Sequence, residues 1–177
     1  MAVVAPPTAK RIALVGNPNA GKSTLFNALT GLGAKVANYP GVTVARHTGE
    51  LRIDGNDFVV EDLPGSYSLD PISPDEQIVA HALDTGGHER PDAVLVVLDA
   101  TSLQRSLGLL AQVQQLGLPT LTVLTFSDEL ARRQGALDVQ ALSQAVGNRV
   151  QLATAGNRAQ LHDLKQAFTE IDQWPAP

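Results

Sequence analysis

An α/β fold, with a mostly parallel sheet, one antiparallel edge strand and helices on both faces, is what this sequence predicts. Three observations carry the prediction. First, the apolar runs 12–15, 93–98 and 120–124 lack polar alternation, which is how strands buried on both faces of a parallel sheet read. Second, stretches with helical spacing of apolar residues lie between those runs. Third, one hairpin interrupts the alternation, and it supplies the antiparallel strand.

The elements follow in order. After the first strand, residues 22–30 read as a helix that Gly31 stops. Glu50-Leu51-Arg52-Ile53 alternates, Asp54-Gly55 turns and Phe58-Val59-Val60 returns, so this piece is the hairpin. Ser73-Pro74-Asp75-Glu76 has a Ser cap, Pro in the first turn and Glu at the capping-box position. That helix is expected to run to about Asp84, before Gly86-Gly87. Residues 102–115 carry Leu103, Leu107, Leu110 and Val113 as a stripe, and 137–146 and 160–171 are two further amphipathic candidates. The order is strand, helix, hairpin, helix, strand, helix, strand, helix, strand, helix, within one domain over 10–172. Residues 1–9 read as a flexible lead-in and 173–177 as a frayed tail.

Bulk properties exclude several classes. The 177 residues are 44% hydrophobic and 18% charged, enough for a sizeable core. Without cysteine there is neither a disulfide framework nor a thiolate metal site, which is compatible with a reducing compartment. The formal net charge of −5 argues against a nucleic-acid partner, because phosphate neutralisation needs clustered Lys and Arg. No apolar run reaches membrane-span length, and Pro6 and Pro7 sit where a signal peptide would need an apolar helix. His47, His81, His88 and His162 are scattered without ligand spacing.

The chemistry is concentrated in GNPNAGKST, residues 16–24. Gly16-x4-Gly21-Lys22-Ser23 is a phosphate-loop pattern directly between a predicted strand and a predicted helix. Glycines let the backbone curl so that successive N–H groups form an anion nest, and the helix points its positive end at the phosphates. Lys22 is then placed for the β and γ phosphates, and the Ser23 hydroxyl for magnesium. Asp62-Leu63-Pro64-Gly65 follows the hairpin's second strand. An Asp at a strand end can hold a magnesium shell, and Gly65 can offer its N–H to a γ-phosphate. Alone, Asp-x-x-Gly is usually only a turn; some forty residues after a phosphate loop it gains weight.

GNPNAGKSTLFNALTG, NYPGVTV, DLPGSYSL and SPDEQIVAHAL together resemble the N-terminal G domain of ferrous iron transport protein B, among the TrmE-Era-like P-loop GTPases. The resemblance covers about residues 10–172 and implies a Ras-like three-layer fold on a six-stranded sheet. It implies that Thr43 completes magnesium coordination, with Ser23 and Asp62, when GTP is bound. It implies that Asn19 helps hold a potassium ion against the phosphates; as a residue, Asn19 could equally be a loop-capping amide. Asn17, Pro18, Ala20 and Thr24 fall within the loop that wraps the nucleotide, and Gly41 and Val42 within the switch I backbone, 38–42, that holds the attacking water. Lys22, Asn19, Gly41 and Thr43 are thus the candidates for catalysis. Ser66 stands where Ras-like enzymes carry a water-positioning Gln, so no general base is assigned and slow hydrolysis is expected.

The base-reading motif of that family is Asn-x-x-Asp; here it reads Thr125-Phe126-Ser127-Asp128. Asp128 keeps the carboxylate that pairs with two guanine N–H groups, which adenine cannot match. Thr125 is shorter than an amide, and guanine affinity is expected to fall by about 1–2 kcal/mol for one lost hydrogen-bonding group. Phe126 either stacks on the base or makes a core or surface contact. A plainer reading of the stretch is a strand end followed by a Ser-Asp helix cap. Ala153-Thr154-Ala155 corresponds loosely to the last family motif, whose backbone N–H meets the guanine O6.

The resemblance therefore implies a GTP-hydrolysing switch on the cytoplasmic face of a bacterial inner membrane, with magnesium and potassium as cofactors. Its expected partners are the membrane region of the same transporter and small Feo accessory proteins. The family's helical and membrane domains are not expected within this stretch. Two other readings stay open: a nucleotide-occupancy module with little hydrolysis, and a stand-alone Era/MnmE-like GTPase. The mobile switches are expected around 34–48 and 65–73.

Overall fold

Strand β1, Lys10–Gly16, lies at the centre of the sheet, flanked in parallel by β4, Asn56–Asp62, and β5, Ala93–Asp99. The structure is a computed structural model that describes residues 9–84 and 89–176, with only the backbone of Leu32. Beyond β5 come β6, Thr120–Thr125, and β7, Val150–Leu152, both parallel. On the other side β4 pairs antiparallel with β3, Ala45–Ile53, which pairs antiparallel with β2, Lys35–Asn38. The sheet order is β2-β3-β4-β1-β5-β6-β7.

The fold class is as expected, but the sheet has seven strands where six were anticipated. The extra strand is β2, which extends the antiparallel end of the sheet beyond β3. Its four residues are all exposed, so no hydrophobic period marks them. The hairpin turn is the one the sequence predicts. Asp54 has φ 50° and Gly55 φ 81°, the positive pair that a two-residue turn between twisted strands requires.

Alternation along the central strands divides the core in two. Ile12, Leu14, Leu95, Val97, Leu121 and Val123 face helix α1, Lys22–Thr30, and helix α6, Arg158–Thr169. Ala13, Val15, Val94, Val96 and Leu98 face helix α2, Pro74–Leu83, and helix α3, Leu103–Gln114. A strand buried on both faces has no polar register, which explains the unbroken apolar runs. Helix α2 begins with a complete capping box: the Glu76 N–H donates to Ser73 Oγ at 3.2 Å and the Ser73 N–H to Glu76 Oε2 at 3.1 Å. It ends at Leu83, and the predicted Gly86-Gly87 stop lies outside the described residues, as do His88 and lead-in residues 1–8. A short helix α4, Ser127–Arg132, and helix α5, Val139–Val146, complete the set.

The frayed end anticipated at 173–177 is not what the described residues show. Trp174 is 4% exposed, packs edge-on to Phe168 at 6.0 Å, and donates from Nε1 to the Ala167 carbonyl at 2.9 Å. The Pro175 carbonyl accepts from the Thr120 N–H at 2.9 Å. A residue two places from a Pro-rich end gives no periodic signal of its own burial. Trp174→Ala should therefore cost about 3–5 kcal/mol in denaturant unfolding, the range for emptying a packed aromatic site. A cost within about 0.5 kcal/mol, typical of an exposed residue, would return Trp174 to a tail.

Candidate nucleotide-binding site

The phosphate loop leaves the C-terminal end of β1, where neighbouring connections diverge to opposite sides of the sheet. Asn19, φ 65°, and Gly21, φ 77°, take left-handed backbone, and the Ala20 N–H turns back to the Asn17 carbonyl at 3.1 Å. Gly21 is the N-cap of α1 and no side chain caps it, so the first-turn N–H groups are directed to whatever lies in the loop. The second motif is docked against the first. The Ser66 N–H donates to the Gly16 carbonyl at 3.0 Å, and a Cβ on Gly65 would stand 2.9 Å from Pro18 Cα. Only glycine permits that approach.

Three predicted side chains meet at the floor of the loop. Lys22 Nζ donates to Asp62 Oδ1 and to the Leu63 carbonyl. Ser23 Oγ donates to Asp62 Oδ2 at 2.7 Å. Lys22 and Asp62 are 6% and 7% exposed, so each needs the other's charge. An aliphatic hydroxyl and a carboxylate side by side form the hard oxygen donor set that suits magnesium.

Other predicted residues are placed differently. The Asn17 side chain turns away from the loop: Nδ2 donates to the Arg105 carbonyl at 3.1 Å and lies 3.3 Å from Ser106 Oγ. It ties the loop to α3. Asn19 is exposed on the lip, and no hydrogen bond engages its side chain among the described residues. Pro18 and Thr24 are also exposed, and Ala20 is buried.

Gly41, Val42 and Thr43 occupy the turn joining β2 to β3, closed by the Tyr39 N–H to the Val44 carbonyl at 3.0 Å and the Val42 N–H to the Tyr39 carbonyl at 3.3 Å. Gly41 has φ 76°. Among the described residues no hydrogen bond links Thr43 to Ser23 or Asp62, so two of the three expected magnesium ligands meet here and the third does not. A different contact holds the turn. Tyr39 donates its hydroxyl to Glu61 Oε1 at 2.8 Å, and Arg46 Nε stands 3.1 Å from the same carboxylate. Burial, with the Glu61 charge beside it, pushes the Tyr39 phenol well above its ordinary pKa. Neither Tyr39 nor Glu61 was singled out from sequence, and only the position of Glu61 beside Asp62 offered a hint.

The base-reading residues border a cleft of about 230 Å³ that includes Gly21, Thr24, Phe126, Asp128, Thr154 and Ala155. Phe126 is itself the N-cap residue of α4, φ 57°, so the Ser-Asp pair lies inside the helix and does not cap it. Its ring lies against the loop: a Cβ on Gly21 would be 3.1 Å from Phe126 Cζ. Asp128 is exposed, with Arg132 Nη2 at 3.5 Å. Thr125 turns its hydroxyl to the Ala20 carbonyl at 2.6 Å and the Leu98 carbonyl at 3.1 Å. Of the three backbone donors expected nearby, Ala153 N–H bonds the Leu124 carbonyl at 2.9 Å and Thr154 N–H bonds Gln160 Oε1 at 2.8 Å. Among the described residues no hydrogen bond engages the Ala155 N–H.

Comparison with known proteins follows this geometry. The family model described as ferrous iron transport protein B matches residues 10–168. An Fe(2+) transporter FeoB of Leptospira biflexa is 38% identical over 165 residues, 93% of this chain and 24% of that protein. The chain thus spans about a quarter of that relative's length. The crystal structure of the G domain of the T. maritima FeoB iron transporter superposes with a TM-score of 0.85 at 34% identity, covering 93% of this chain and 99% of that one. A variant of S. thermophilus NFeoB bound to GDP gives 0.82 at 35% identity, covering 95% and 65%.

The Tyr39 contact has a defined pH dependence. The raised pKa means the folded state holds the phenol proton more tightly than the unfolded chain, whose tyrosine ionises near the ordinary value of 10.0. Stability from the contact is therefore present below about pH 10 and declines as pH rises further. Wild type should exceed Tyr39→Phe by about 1 kcal/mol near pH 8, and thermal unfolding curves should converge above about pH 10. A difference that is constant with pH would remove the phenol proton from the account.

Proposed function

The chain belongs to the family of ferrous iron transport protein B, and on that premise we propose that it is the GTP-binding and GTP-hydrolysing switch domain of a bacterial ferrous iron transporter. The observation that carries the reading is the Lys22–Asp62–Ser23 cluster under an uncapped helix N-terminus. Lys22 exchanges one anion for another when it turns from Asp62 to the β and γ phosphates, so its charge stays compensated throughout. Asp62 and Ser23 would then hold magnesium, which offsets negative charge on the phosphate oxygens. The loop N–H groups and Gly65 grip the phosphates, Asp128 selects guanine, and Ala155 meets its O6.

Hydrolysis is slow on this reading. Ser66 is buried, and its hydroxyl proton is committed to the Ser68 carbonyl. The attacking water falls to the switch I backbone, and Thr43 would be a further oxygen ligand for magnesium if the turn at Gly41 rearranged. Asn19 is exposed with a side-chain carbonyl to offer, which suits a potassium ion placed against developing charge. Nucleotide-dependent movement of the turn would regulate iron passage through the membrane region of the same transporter, on the cytoplasmic side, with Feo accessory proteins as further partners. The engaged Ser66 and the Thr125 substitution also suit a second reading, a module that signals by occupancy with little turnover.

Calorimetric titration of GDP and ADP into magnesium-loaded protein tests the reading. GDP should bind and ADP should bind at least about 100-fold more weakly, because adenine leaves the Asp128 carboxylate unpaired. Equal binding of both, or of neither, removes the guanine site. GTP turnover that rises when potassium replaces sodium selects the hydrolase; GDP binding with no turnover in either salt selects the occupancy module.

A further inference from the structure

The Thr125 hydroxyl has one proton, and both of its neighbours are acceptors: the Ala20 carbonyl at 2.6 Å and the Leu98 carbonyl at 3.1 Å. Neither can donate to Thr125, so its proton is committed to the protein. Thr125 is 5% exposed, and swinging the hydroxyl toward the cleft would take its one proton from the carbonyls it serves in the interior. The N7 of a purine is itself an acceptor. Thr125 therefore has nothing to give it. An asparagine carries two amide protons and can spend one on the loop and one on the base. The threonine keeps the first task and loses the second.

Among the described residues that line the cleft there is no amide: its polar side chains besides Thr125 are Thr24, Asp128, Arg132 and Thr154. Phe126, which lines the cleft beside Thr125, is apolar. The Thr154 hydroxyl is 3.3 Å from the Ser127 hydroxyl. Arg132 is held at 2.6 Å by Glu129 and at 3.5 Å by Asp128. Asp128 is acceptor-only and serves the opposite, Watson–Crick edge of the base.

We propose that this chain selects guanine nucleotides without reading position 7 of the purine, so that it binds guanine nucleotides altered at that position as well as ordinary ones. The inference rests on the guanine reading above. It makes Thr125 a specificity-determining residue whose effect is a relaxation, confined to one atom of the ligand.

The test compares GDP with 7-deaza-GDP, in which N7 is replaced by C–H, by calorimetric titration into the whole chain with magnesium. The two dissociation constants should agree within about twofold, since no hydrogen bond is lost on the exchange. In Thr125→Asn the 7-deaza nucleotide should bind about fivefold or more weaker than GDP. If wild type already binds 7-deaza-GDP about fivefold weaker, another group reads N7 and the proposal falls. That result would leave GDP over ADP selection intact, so it is distinct from failure of the guanine site, in which GDP and ADP bind alike. Should Thr125→Asn not fold, the wild-type pair of titrations still decides.

Discussion

A buried ammonium must be met by oxygen, and this requirement organises the protein around Lys22. The side chain lies under the phosphate loop, where solvent cannot compensate it, and it is matched by the Asp62 carboxylate and the Leu63 carbonyl. Both partners come from the end of β4, adjacent to β1 in the sheet. The parallel register of β1 with β4, Leu14 opposite Asp62, is thus what brings the two halves of the site together. The Ser66-to-Gly16 hydrogen bond and the glycine-only approach of Gly65 to Pro18 extend the same contact by one turn. If β4 shifted by one residue, Glu61 would replace Asp62 at the loop and its other partners would be lost.

That alternation links the phosphate site to the switch turn. Successive residues of a strand face opposite sides. Asp62 is directed to Lys22 and Ser23, while Glu61 is directed to Tyr39 and Arg46. One strand end therefore carries both the carboxylate that meets Lys22 and Ser23 and the carboxylate that holds the turn bearing Thr43. On the proposed function, a nucleotide that draws Thr43 inward would act against the Tyr39–Glu61 hydrogen bond. The two contacts are joined by a single peptide unit.

The base end of the site follows a different logic. Thr125 joins strand β6 to the phosphate loop and to β5 through one hydroxyl, and the Phe126 ring covers Gly21 from the same side. Threonine at this position keeps the architecture braced. On the proposed reading, stability and recognition, which one amide can serve together, are separated in this chain.

What the sequence determined by itself is everything set by short-range rules. The glycine spacing of the phosphate loop, the positive-φ pair Asp54-Gly55, the Ser73–Glu76 capping box and the two-sided apolar runs each declare their conformation within a few residues, because backbone sterics and periodicity are local. They sufficed to order the elements; it was the β1–β4 register that then brought Lys22, Ser23 and Asp62 to one place. Only the tertiary structure decided which partner each polar side chain chose. Asn17 found α3 88 residues away, Thr125 found Ala20 across 105, and Tyr39 found Glu61 across 22. A hydroxyl or an amide has several acceptors within reach of its composition, and the choice depends on which strand ends the sheet sets side by side. The exposed strand β2 and the buried Trp174 were invisible for the same reason: one gained its pairing, and the other its burial, from neighbours distant in the chain.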